Sequence, residues 1–100
     1  MSNAVGLLEV YGCVTAFAAA DAACKAADVT LESFDKNRPV DPTAQIPLII
    51  LVKIRGSVAA VEAALDAAEK AANEHGGVIL RHMIARPETD TEKMLKLSAI

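Results

Sequence analysis

Leu48-Ile49-Ile50-Leu51-Val52-Lys53-Ile54-Arg55, followed at once by Gly56-Ser57-Val58, decides how the rest of the chain is read. The first stretch is rich in large and β-branched residues and reads as a strand. Its near-continuous apolar first half predicts a central strand covered on both faces. Gly56 breaks it, and Ser57 is placed to cap a helix. Val58, Val61, Leu65, Ala68 and Ala72 then form one apolar helix face, with Glu62, Asp66, Glu69 and Asn73 on the wet one. Gly76-Gly77 supplies the stop. Val78 to Ala85 reads as a further strand, ended by Arg86-Pro87. Thr89 to Leu97 reads as a short terminal helix, with Thr89 as N-cap and Glu92 three residues on, a capping-box pattern.

Upstream of that strand lies Asp35 to Pro47, with three prolines and several turn formers. This is a loop, and long for a link between strands. Before it, Val29 to Phe34 reads as a strand. From Cys13 to Ala27 the pattern is helical, with Cys13, Phe17, Ala20, Cys24 and Ala27 as its apolar face and Asp21, Lys25 and Asp28 beside it. Gly12 separates this helix from a first strand, Gly6 to Tyr11. The order is strand, helix, strand, strand, helix, strand: an α+β, ferredoxin-like βαββαβ arrangement with a short C-terminal helix. That fold hosts many functions and names none.

Composition narrows the function classes. One hundred residues suit a single domain, here residues 1–100. A net charge of −3 carries no whole-chain footprint for nucleic acid. The apolar run Pro47 to Val52 is far too short to cross a bilayer, and the start of the chain lacks the positive-then-apolar pattern of a leader, so a cytosolic protein is expected. Twenty alanines and only 3% aromatics leave few large anchors, which suggests that some apolar surface belongs in a subunit interface. Cys13 and Cys24, about three turns apart on one helix, cannot pair with each other. Both read as small hydrophobes on the packed face rather than as metal ligands or nucleophiles. His75 at a helix end and His82 in a strand read as structural. No Gly-rich phosphate loop, catalytic constellation or metal-spaced cluster is visible, so no catalytic residue, metal or cofactor is expected.

Four segments carry a family resemblance. Gly6-Leu7-Leu8-Glu9-Val10-Tyr11-Gly12 resembles the opening strand of hexagonal bacterial microcompartment shell proteins. Ala19 to Ala27 resembles their Ala-rich first helix. Val52-Lys53-Ile54-Arg55-Gly56-Ser57-Val58 resembles their strand-to-helix turn. His82-Met83-Ile84-Ala85-Arg86-Pro87 resembles their ending. The segments occur in the family's order and cover nearly the whole chain.

The resemblance implies a BMC domain forming cyclic homohexamers. These would tile with other shell proteins around encapsulated enzymes, in a microcompartment shell within the cytoplasm, with no nucleic acid or membrane partner. It implies an axial pore lined by the loop between the second and third strands: Lys36, Asn37, Arg38, Pro39, Val40, Asp41, Pro42, Thr43, Ala44, Gln45, Ile46 and Pro47. It also implies hexamer-edge roles for Lys25, with Asp28 beside it, and for Arg86. The bland reading of Lys25 is a solvated helix lysine, and the resemblance favours the edge. The family's loop is short and rich in glycine and serine. Here Lys36 is kept, but Asn37 to Pro47 lengthens the loop and no glycine lies between Gly12 and Gly56. Glu88 stands where the family often has His, and Cys24 where Met is common. Asp35, Lys36, Arg38 and Asp41 nearly cancel in charge. The prolines restrict the loop, which is expected to project to the six-fold axis and narrow or close the opening. Iron–sulfur binding of the kind some shell proteins achieve through a loop cysteine is not expected, because this loop has none. The alternative reading is a small ferredoxin-like oligomer that binds a ligand or regulates, with the long loop as its capture element.

Overall fold

In a computed structural model, which describes residues 3–98, β1 (Ala4–Tyr11), α1 (Cys13–Ala26), β2 (Thr30–Asn37), β3 (Ile49–Gly56), α2 (Val58–Asn73), β4 (Val78–Ile84) and α3 (Thr89–Leu95) follow in chain order. Residues 1, 2, 99 and 100, at the ends of the expected domain, lie outside the described residues. All pairings are antiparallel, and the sheet order is β2-β3-β1-β4. The expected α+β arrangement is therefore present, with the third-strand segment in a central position.

Strand alternation sorts the side chains. Leu8 and Val10 of β1 and Ile50, Val52 and Ile54 of β3 face the layer of α1 and α2, in one buried cluster with Ala16, Ala19, Ala23, Val61, Ala64, Leu65, Ala68 and Ala72. Alanines on both helices let α1 and α2 lie directly against each other. Ser57 caps α2 as expected, its hydroxyl accepting from the Ala60 N–H at 3.1 Å. Gly77, at φ 100°, ends it with its N–H on the Ala72 carbonyl.

Three readings of the sequence need correction. The buried face of α1 is Thr15, Ala16, Ala19, Ala20 and Ala23. Cys13 and Cys24 are exposed, and Phe17 is 63% exposed, although its ring meets Phe34 edge-on at 5.2 Å. With alanine on every side of the helix, hydrophobic periodicity cannot say which side turns inward. Second, β3 is covered along its length by helices on one face only; the other face is covered in part, with α3 over Lys53 while Leu51 sits half-buried in an open groove with Leu7, Glu9, Leu80 and His82. Third, the cap of α3 is Glu88, whose carboxylate accepts from the Asp90 N–H at 2.8 Å, and the helix starts at Thr89. Glu92 does not reach back to the cap because Arg55 holds it with two hydrogen bonds of 2.6 and 2.8 Å.

Candidate functional site

Register places the two sets of candidate residues at opposite ends of the sheet. At one end Tyr11 pairs with Ile49, Asn37 with Ile49 and Val10 with Val78; the β2–β3 loop leaves from there. At the other end Ala4 pairs with Gly56, Val5 with Ile84 and Thr30 with Arg55. Helix α1 runs from the loop end, where the Gly12 N–H bonds the Leu48 carbonyl, toward the far end, where the Asp28 carbonyl lies against Gly56. Lys25, Asp28 and Arg86 thus belong to the end away from the loop, and all three are exposed.

The loop proper is shorter than the sequence suggests, because β2 extends through Asn37: Lys36 pairs with Ile50, and Asn37 with Ile49. Polar lysine and asparagine read as loop, but ladder pairing with β3 continues through both of them. Beyond, the Asn37 side chain accepts from the Arg38 N–H at 2.8 Å. Asp41 organises the tip: its carboxylate accepts from the Thr43 N–H at 2.9 Å and the Thr43 hydroxyl at 2.7 Å, while the Ala44 N–H bonds the Asp41 carbonyl. These bonds form a side-chain-closed turn and hold the Asp41 carboxyl below the usual aspartate range. Pro47 returns beside the outgoing arm, lining one cleft with Arg38, Pro39, Val40, Asp41 and Pro42. Ala44, Gln45 and Ile46 line a second cleft with Tyr11 and Gly76.

Electrostatics of the loop differ from simple cancellation. Asp35 lies on the α3 side of the sheet, its carboxylate 2.8 Å from the Lys53 ammonium. Lys36, Asn37 and Arg38 line a cleft with Leu48. The loop stem therefore carries two cations against the single tip carboxylate of Asp41.

At the other end, Lys25 forms an exposed i,i+4 pair with Asp21 at 2.7 Å, and this neighbour raises the lysine pKa. A pair this exposed contributes little to stability. Among the described residues, no three His, Cys, Asp or Glu side chains converge as a metal would require. His82 lines the open groove on the sheet rather than meeting a nucleophile. No helix among the described residues is long and apolar enough to cross a membrane.

Sequence reasoning missed the array on the second face of the sheet. Lys53, 1% exposed, donates to the Leu95 carbonyl at 3.2 Å and the Leu97 carbonyl at 2.8 Å, besides pairing with Asp35. Arg55 joins Glu92 and, at 3.4 Å, Glu32, and this company raises its pKa while lowering that of Glu92. The available signal was two cations, Lys53 and Arg55, on the same parity of an otherwise apolar strand.

Comparison with known proteins agrees with this architecture. The family model of the BMC domain matches residues 4–87. The chain is 46% identical over 95 residues to the bacterial microcompartment shell protein EutK of Salmonella typhimurium, covering 95% of this chain and 53% of that one. It is 40% identical over 93 residues to the shell protein PduA of Citrobacter freundii, covering 93% and 91%. To the carboxysome shell protein CcmK3 of Halothece it is 37% identical, covering 98% and 90%. A crystal structure of a microcompartments protein from Desulfitobacterium hafniense matches with a TM-score of 0.73 at 25% identity, covering 96% of this chain and 48% of that one. The chain thus spans about half the length of EutK and of that solved structure, and nine-tenths of PduA. It belongs to the BMC domain family, and the relatives it matches are shell proteins of microcompartments and carboxysomes.

Proposed function

We propose that this chain forms cyclic homohexamers that tile, with other shell proteins, around encapsulated enzymes in a microcompartment shell within the cytoplasm. In this reading the Lys36–Pro47 segment rims and narrows the axial pore. The observation that carries it is the segregation of the loop to one end of the sheet and of Lys25, Asp28 and Arg86 to the other. A subunit of a tiling ring needs one end at the axis and one at the perimeter. The exposed Val14 and Phe17 on α1 offer apolar surface for a neighbouring copy to cover. With Asp35 drawn to Lys53, symmetry repeats the Lys36 and Arg38 cations around the opening against one Asp41 per copy, a rim that favours small anions.

Electron cryomicroscopy of the assembled hexamer tests the loop. The expected result is six loops meeting near the axis around a narrow opening, and a wider opening when Asn37–Pro47 is replaced by a short Gly/Ser turn. Loops turned outward from a wide axial hole in the unaltered protein would overturn the reading.

The perimeter is tested separately. Lys25→Ala is expected to leave the hexamer intact by size-exclusion chromatography while extended sheets become sparse or absent in negative stain. An ordinary yield of sheets from that variant would remove Lys25 from the edge.

A further inference from the structure

We infer that the C-terminal segment, residues 89–98, regulates the opening by holding the stem of the β2–β3 loop; the regulatory part of this rests on the pore-rim reading above. Among the described residues, β2 is an outer strand of the sheet with β3 as its one strand neighbour. The C-terminal segment supplies its second attachment. The Ser98 hydroxyl donates to the Phe34 carbonyl at 3.0 Å. The Ser33 hydroxyl directs its one proton to the Leu97 carbonyl at 3.2 Å, with the Leu95 carbonyl also in reach at 3.4 Å. Lys53 joins the Asp35 carboxylate to the same two carbonyls. Three consecutive residues, Ser33, Phe34 and Asp35, are thereby tied to the C-terminal segment just before the chain turns into Lys36, Asn37 and the loop.

The ties act together because of Lys53. A buried ammonium needs acceptors around it, and two of its three come from the C-terminal segment. Lifting that segment strips those two carbonyls from the ammonium and opens its site to water, so Lys53, Asp35 and the C-terminal segment loosen as a unit. Opposing this, Arg55 clamps Glu92 and Leu95 is buried, while Met94 and Leu97 stay exposed. The segment is thus held mainly by polar contacts, with little apolar burial to make its docking permanent, and local release without global unfolding is the expected behaviour.

Hydrogen exchange on the full, assembled chain tests the coupling. Glu92→Gln removes the charge that Arg55 grips, and is expected to speed exchange in α3 roughly tenfold. The amides of residues 33–44 should speed up with it, while α2 is unchanged. Faster exchange in α3 with no change at 33–44 would overturn the inference. Should the variant loosen α2 as well, Ser98→Ala decides: it removes one bond to Phe34 and no core atom, so faster exchange at 33–44 supports the coupling and unchanged exchange overturns it. The pore-rim reading is read independently, by intersubunit cross-linking through Thr43→Cys in a Cys13→Ser, Cys24→Ser background. A cross-linked ladder supports axial placement. Its absence overturns the rim, and with it the regulatory role, whatever the exchange data say of the C-terminal segment and the loop stem.

Discussion

Lys53→Ala is expected to lower the melting temperature by roughly 15 °C, read by circular dichroism at fixed protein concentration. The ammonium is almost wholly buried and serves Asp35 and the carbonyls of Leu95 and Leu97. Removing one partner of a buried pair costs about 3–5 kcal/mol, because the other is left uncompensated. Asp35 keeps a side-chain exposure of 31%, so water recovers part of its solvation and the low end of that range applies. About 3 kcal/mol is a large share of the 5–15 kcal/mol that holds an ordinary domain together. Lys53→Met keeps the apolar stem and fills the space, so its loss should be smaller. A shift of under about 3 °C for the alanine variant would mean that the buried array is no stabiliser of the fold.

The second large effect falls on Gly76. A Cβ there would sit well inside contact distance of the Tyr11 backbone oxygen and against the Thr15 hydroxyl, which already accepts the Gly76 N–H at 2.9 Å. Neither obstacle is a flexible side-chain end. Gly76→Ala must therefore push the end of α2 away from β1 and α1, at an expected cost of more than about 3 kcal/mol. Gly77→Ala meets nothing within 4 Å, but must hold φ near 100°. That conformation costs about 1–2 kcal/mol for a residue with a Cβ. Urea unfolding should rank Gly76→Ala as much the worse variant. Equal midpoints would show that the close approach to Tyr11 relaxes freely.

These two positions also show where reading the chain stops. Gly76-Gly77 is visible in sequence as a helix stop, yet the sequence treats both glycines alike. Only the packing of α2 against β1 separates the one that lacks space from the one that needs a left-handed backbone. The cap at Ser57 was legible because its partner, the Ala60 N–H, lies three residues away. Glu92 was misread because its partner, Arg55, lies 37 residues away and outcompetes the local cap.

Strand alternation, glycine and proline breaks and helix periodicity determined the order of elements, the existence of a long second-to-third-strand loop and the family resemblance. Each of these depends on near neighbours along the chain or on a recurring pattern of residue types. The inward side of α1, the exposure of Cys13 and Cys24, the pairing of Asp35 away from the loop and the docking of α3 were decided only by the tertiary structure. The alanines of α1 give almost no contrast between its sides, so the position of Phe34 and of α2 sets its rotation. The partners of Lys53 on α3 and just beyond, the Leu95 and Leu97 carbonyls, are 42 and 44 residues away. A charge can be seen in a sequence, but what neutralises it is known only once the chain has folded back on itself.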